Sequence, residues 1–460
     1  MERELIGVYG LVALFFLIML RIPVALAMLV TGIAGTWVLS LASPFIKFGP
    51  YLLQFKTALW NSVANYDLSV VPLFVLMGFL AAETGLSRDL FQGLSALTRK
   101  VKGGVAMATV LACAGFGAVS GSSIATASTM SRVALPELRR LNYHEGLSTG
   151  VLAAGGTLGI LIPPSVALVI YAIVVEAPII DMFQAAILPG VLAVIFFLIV
   201  VRLRVARNPS LAPTPEPLSD EARRHAIRRL IPVTLIFGSI ILGLGMGLFT
   251  PTPAAGVGVF LILVYGLILR FFSDDGLTFA RLKAALLATA KTASMIYFIL
   301  FSADILKGFF ARTGLPSYLS DWASMSTLEP YTILIAMLVI LILLGCFMES
   351  LSMILVVVPF FWPVLIQLNG GDWVSAENAA FGMTTDELRI WFGILALIVV
   401  ELGLITPPVG LNVFVIKSFS PQTSLGVIFK GVVPFFSIEL IRVAILIALP
   451  VLSLYLPRIL

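Results

Sequence analysis

The chain is poor in the residues from which soluble enzymes and metalloproteins are built. Only 12% of its 460 residues are charged, and it has two cysteines and two histidines. Cys113 and Cys346 stand singly in apolar or small-residue stretches, which excludes a disulfide framework and a cysteine metal cluster. His144 and His225 lie in loops far apart in sequence and read as solvated side chains. There is no His-Glu-x-x-His motif, no serine paired with a histidine, and no Gly-x-x-x-x-Gly-Lys-Ser/Thr loop. Metal-assisted hydrolysis, acyl transfer and ATP-driven work are therefore disfavoured, and the chain reads as a non-enzyme without a cofactor. Its basic residues sit between hydrophobic segments instead of forming a groove with interleaved aromatics, so nucleic acid is not implied.

Apolar side chains are what the sequence has. They make up 60% of it, and the mean hydropathy is +1.08, far outside the range of a soluble domain. Runs long enough to span a bilayer lie near 5–20, 24–42, 69–84, 147–175, 182–201, 230–249, 254–270, 293–311, 389–416 and 432–455. Residues 1–20 resemble a signal peptide only superficially: they begin with Glu2, Arg3 and Glu4 and end in Arg21-Ile22-Pro23 with no small-residue cleavage site, so they are read as a retained first helix.

Two of these runs are interrupted by nearly the same words, Gly156-Thr-Leu-Gly-Ile-Leu-Ile-Pro-Pro-Ser165 and Leu402-Gly-Leu-Ile-Thr-Pro-Pro-Val-Gly-Leu-Asn412. Proline lacks the amide a helix needs and pushes the residue before it out of helical geometry, so both runs should break and leave carbonyl oxygens unpaired. At membrane depth, broken backbone is tolerated only where protein, water or an ion satisfies it, and matched breaks in two halves point to a transporter's binding site.

Sliding the chain against itself by about 230 residues aligns further punctuation, the mark of an internal repeat. Pro23-Val24-Ala25 falls on Pro253-Ala254-Ala255, and Thr84-Gly85-Leu86 on Thr313-Gly314-Leu315. Pro136 falls on Pro363, Leu141-Asn142 on Leu368-Asn369, and, after the polar insertion 370–387, Pro163-Pro164 on Pro407-Pro408. Lys and Arg collect on the cytoplasmic side. With Arg99, Lys100 and Lys102 on the same side as Arg139 and Arg140, the segment 103–136 must enter the membrane and return as a re-entrant hairpin. The matching hairpin, 331–368, opens from the other side, and the register sets Glu349 opposite Ser122. The result is an all-α polytopic protein of two inverted repeats, 1–201 and 230–460. Each has a hairpin and a discontinuous helix (147–175 and 389–416), and a basic cytoplasmic linker, 202–229 with Pro209, Pro213, Pro215 and Pro217, joins them. Both termini fall outside the cytoplasm. Segments 45–67 and 279–291 read as helices lying along the interface.

For the broken segments, the functional reading is a hard cation held by backbone oxygens while positive helix N-termini face an anion; the alternative is a proline kink that helps helices pack. On the functional reading, Gly159, Ile162 and Pro164 join the Ser120/Ser122 tip around one Na⁺, and Gly403, Thr406 and Pro408 join Glu349 around another. Small residues from Ala125 to Ser131 are explained by close helix packing; the Ser120-Gly121-Ser122 turn is explained less well that way. Glu349, a carboxylate deep in a hairpin, is functional by default as a cation ligand, proton carrier or gate contact. Ser122, Ser165, Glu349 and Asn412 are the candidate substrate contacts, Asn412 serving equally well as a packing amide.

In order and spacing, Arg21-Ile22-Pro23-Val24-Ala25, the 120–126 tip, 156–165, Phe249-Thr250-Pro251-Thr252 and 402–412 resemble the large membrane subunit of tripartite ATP-independent periplasmic (TRAP) transporters, the DctM-like component, over essentially the whole chain. The resemblance implies an elevator mechanism in a bacterial or archaeal cytoplasmic membrane, driven by a Na⁺ gradient. It also implies a separate four-helix membrane subunit and a soluble periplasmic binding protein that delivers a small organic anion, a carboxylate or sulfonate. Two departures stand out: Pro253 replaces a Glu usual in the family, and Glu349 replaces an Asp. A stand-alone Na⁺- or H⁺-coupled symporter or antiporter and a non-transporting membrane scaffold are the competing readings.

Overall fold

The computed structural model describes residues 3–43, 45–214, 218–272 and 276–459. Within them the chain is helical throughout: α1 Arg3–Met19, α2 Val24–Ala42, α3 Phe48–Ala64, α4 Val70–Glu83, α5 Leu86–Thr98, α6 Gly104–Ser120, α7 Ser123–Arg140, α8 Glu145–Leu161, α9 Val166–Val175 and α10 Ile179–Arg207 in the first half. The second half holds α11 Asp220–Gly245, α12 Pro251–Phe272, α13 Phe279–Thr313, α14 Leu315–Met325, α15 Pro330–Gly345, α16 Ser350–Asn369, α17 Thr385–Gly403, α18 Leu411–Phe419, α19 Leu425–Ala448 and α20 Val451–Ile459. Among the described residues, seven single helices are long and apolar enough to cross a membrane, and α8 with α9 forms a further span bent by 45°.

The expected interruptions are present, most with a local cause. Gly121, left-handed at φ 56, ends α6, and Ser122 caps α7 by accepting from the Ala125 amide at 3.4 Å, so the first hairpin turns within two residues. In the second hairpin α15 ends at Gly345 and Glu349 stands at the N-cap of α16, the place Ser122 holds in α7. Thr84-Gly85 and Thr313-Gly314 also break their helices alike: both glycines are left-handed, at φ 78 and 73, and both threonine hydroxyls bond back to a carbonyl of the preceding turn.

Three expectations change. The segment 279–291 is not a separate interfacial helix but the first part of α13, 35 residues long. It is rich in alanine and has no proline or glycine before Gly308, so nothing stops it, and at about 52 Å it outreaches a ~30 Å hydrocarbon core. The linker is shorter than 202–229, because α10 runs on to Arg207 and α11 begins at Asp220; Pro215 and Pro217 lie outside the described residues. The apolar run 432–455 is two helices, parted at Leu449-Pro450, where proline supplies no amide.

The core sits around α8 and α17. Every residue of α8 from Gly146 to Leu161 is buried, as is nearly all of α17 from Ile390 to Gly403. A helix apolar on all sides must be surrounded by protein, and here these are the two helices that break. Around them pack α6, α7, α16, α18 and α19, whereas α1 to α4 and α11 to α13 pack against one another and show apolar side chains such as Phe16, Phe260 and Phe298 outward.

Candidate ion and substrate site

Each hairpin is pressed against its own broken helix by a pair of glycines. A Cβ on Gly117 in α6 would lie 2.5 Å from Gly159 Cα in α8. A Cβ on Gly403 in α17 would lie 2.5 Å from Gly345 Cα in α15. Backbone therefore meets backbone at both places, an approach that only small residues allow. The contact continues to the tip of the first hairpin, where a Cβ on Gly159 would meet Thr126 Oγ1 at 2.5 Å and the Ser122 carbonyl at 2.9 Å.

The first half-site is closed and buried. Ser120 Oγ lies 2.7 Å from Thr126 Oγ1 and donates toward the Ser122 carbonyl at 3.3 Å. Ile162 ends α8 in extended geometry, and Ser165 caps α9 by accepting from Leu168 N at 3.5 Å. Pro163 and Pro164, where the next two helical amides belong, bring no N–H to the carbonyls of Gly159 and Ile160. Ser120, Ser122, Gly159, Ile162, Pro164 and Ser165 thus share one neighbourhood. Ser165, fully buried with its hydroxyl used as a cap, faces the hairpin backbone at Gly121.

The second half-site differs. The Thr406 amide bonds to the Gly403 carbonyl at 3.1 Å and the Asn412 amide to the Leu404 carbonyl at 3.0 Å, so this break has already found donors for oxygens that were expected to be unpaired. Thr406 Oγ1 turns back to the Leu402 carbonyl at 2.5 Å. Hairpin and break are tied by the Gly410 amide to the Cys346 carbonyl, 3.3 Å, and by the Cys346 thiol to the Pro407 carbonyl, 3.4 Å. Pro407 and Pro408 are exposed, unlike Pro163 and Pro164. Both Pro–Pro bonds are cis. Glu349 is half-buried, turns its carboxylate toward Ser352 of its own helix, and stands between Cys346 and Ser350, which both touch the broken helix.

Two features were not foreseen. Asn412 does not stay in its own half: its amide nitrogen donates to Ser123 Oγ at 2.7 Å and lies against Gly156 of α8. Glu401, 4% exposed, accepts from the Ser350 hydroxyl at 2.6 Å. A lone carboxylate inside the apolar run 389–416 is the same signal that singled out Glu349. Nearby, Arg442 is 3% exposed and paired with Glu439, and donates to the Pro189 carbonyl at 2.9 Å.

A cavity of about 650 Å³ opens beside α7 and is lined by Arg88, Arg99, Arg132 and Arg140 with Glu83 and Glu137. Thr129, Arg132, Pro136 and Arg140 present one face of α7 to it, at the three- and four-residue spacing of a helix. The N-terminal end of that helix is the hairpin tip. Among the described residues no group of three His, Cys, Asp or Glu side chains forms a metal site.

Comparison with known proteins identifies the family. The sequence profile of the tripartite ATP-independent periplasmic transporter DctM component matches residues 11–452. The C4-dicarboxylate TRAP transporter large permease protein DctM of Pseudomonas aeruginosa is 30% identical over 430 residues, covering 93% of each chain. The sialic acid TRAP transporter large permease protein SiaM of Vibrio cholerae is 26% identical, over 86% of this chain and 88% of that one. The isethionate TRAP transporter permease protein DctMQ of Oleidesulfovibrio alaskensis is 25% identical, over 98% of this chain and 65% of that one. In fold, the chain is similar to the YdaH transporter of Alcanivorax borkumensis, with a TM-score of 0.64 at 14% identity over 100% of this chain and 99% of the other. This chain belongs to the DctM family and is the large permease subunit of a TRAP transporter, a multi-pass membrane protein and not an enzyme.

Proposed function

We propose that this subunit imports a small organic anion, a carboxylate or sulfonate, across a bacterial or archaeal cytoplasmic membrane at the expense of a Na⁺ gradient. The observation that carries the reading is the pairing of two hairpin tips with two broken helices through Gly117/Gly159 and Gly345/Gly403. Such breaks gather backbone oxygens for a hard cation and helix N-termini for an anion. Ser120, Ser122, Gly159, Ile162 and Pro164 form one Na⁺ half-site, and Glu349, Gly403, Thr406 and Pro408 the other. Ser122, Ser165, Glu349 and Asn412 are the nearest candidates for the substrate. The arginine-lined cavity beside α7 suits release of an anion on the cytoplasmic side.

The hairpins, broken helices and their buried surroundings move as one body against α1 to α4 and α11 to α13, both termini outside the cytoplasm. A four-helix membrane subunit and a soluble binding protein complete the system; the relatives named for C4-dicarboxylate, sialic acid and isethionate fit delivery of different anions to one permease architecture. The test is uptake into proteoliposomes holding this chain, the small subunit and a binding protein with its radiolabelled anion. Accumulation should require all three and an inward Na⁺ gradient. Equal accumulation without the gradient would sink Na⁺ coupling; uptake by this chain alone would favour a stand-alone carrier.

A further inference from the structure

We infer that Glu401, Asn412, Ser123 and Ser350 form an additional monovalent-cation site, shared by the two halves and distinct from the two half-sites above. The inference rests on the coupled-transport reading. Glu401 Oε1 is occupied by the Ser350 hydroxyl at the start of α16, but Glu401 Oε2 has no hydrogen-bond partner among the described residues. Ser123, the first residue of α7, accepts from Asn412 Nδ2 at 2.7 Å and turns its hydroxyl toward the same carboxyl as a second, looser donor. Asn412 Oδ1 is likewise without a partner, and the residue is fully buried. The two residues that flank Ser123 therefore each carry a buried, under-satisfied acceptor oxygen, which is costly in a packed interior.

The electrostatics have the matching sign. The charged groups facing Glu401 are Glu349 at the head of α16 and Glu439 of α19. The cation near them, Arg442, is committed to Glu439 and the Pro189 carbonyl. Among the described residues, no uncommitted cation acts on the Glu401 carboxyl. The donor set, one carboxylate, one amide oxygen and two hydroxyls, is all hard oxygen and suits an alkali ion, not a soft metal. Because Ser123 belongs to one hairpin, Ser350 to the other, and Glu401 and Asn412 flank the second break, a cation here would fasten both hairpin tips to one broken helix.

The experiment needs no substrate. The whole chain is purified, and its thermal unfolding is followed by tryptophan fluorescence against NaCl, with choline chloride holding ionic strength. A ligand that binds only the folded state raises the midpoint. Glu401→Gln keeps the shape and removes the charge. The Na⁺ concentration that half-saturates the rise in midpoint should increase at least tenfold in this variant. A variant whose midpoint moves by the same amount at every Na⁺ concentration, as a purely structural role predicts, overturns this site and leaves the coupling ion proposed above standing. Should Glu401→Gln not fold, Ser123→Ala is read by the same criteria. A wild-type chain whose midpoint ignores Na⁺ overturns both.

Discussion

Asn412, just past the second break, donates its side-chain amide to Ser123, the first residue beyond the first hairpin tip, at 2.7 Å across 289 residues of sequence. The first hairpin and the segment after the second break are therefore joined by a buried hydrogen bond as well as by the packing of α18 on α7 and α8. Asn412→Ala should cost about 1–3 kcal/mol, because Ser123 loses a buried donor. Uptake should fall more than the stability loss accounts for, and Asn412→Leu, which keeps the bulk but cannot donate, should not restore it. Wild-type uptake by the alanine variant in proteoliposomes would show that the joint has no part in transport.

Gly403 and Gly345 allow their helices to touch through backbone, and a Cβ on Gly403 would lie 2.6 Å from Gly345 C and 2.8 Å from the Ile342 carbonyl. Side-chain rotation cannot relieve that contact. Gly403→Ala should lower the unfolding midpoint and reduce uptake at least tenfold. Gly256→Ala in α12, with nothing within 4 Å of the added carbon, should stabilise by up to about 1 kcal/mol through helix propensity. Comparable midpoints for the two variants would refute the close-packing argument.

Arg442 and Glu439 are a buried pair one turn apart, at 3% and 4% side-chain exposure. Removing one partner strands a charge, which typically costs about 3–5 kcal/mol, whereas replacing both with apolar side chains is often close to neutral. Arg442→Met should be poorly folded and Glu439→Met/Arg442→Met largely rescued in thermal stability. A double variant as unstable as the single one would mean that packing, and not the stranded charge, dominates.

Ser122 has two roles that separate by measurement. Its hydroxyl caps α7, worth about 1 kcal/mol on replacement by alanine. If it also belongs to a Na⁺ half-site, Ser122→Ala should raise the Na⁺ concentration that half-saturates uptake several-fold. Unchanged Na⁺ dependence with the expected small stability loss would leave it a cap alone.

What could be read in advance followed from local chemistry. Proline cannot donate, so Pro163-Pro164 and Pro407-Pro408 had to end α8 and α17. Charge cannot cross lipid cheaply, so clustered Lys and Arg implied the re-entrant course of 103–136. Where local rules were weak, folding decided otherwise: α13 had no residue to stop it at Lys291, and the apolar run 432–455 was cut by Pro450.

The sequence by itself determined where most helices break, since those breaks depend on a proline, a left-handed glycine or a capping side chain within a few residues. Only the tertiary structure decided what the breaks meet. Glu401 looks in sequence like one charge in an apolar run. Its contact with Ser350, and the reach of Asn412 to Ser123, exist because α17 and α18 are packed between both hairpins. Buried polar groups must find partners wherever packing delivers them, and that choice depends on the whole fold and not on neighbours in the chain.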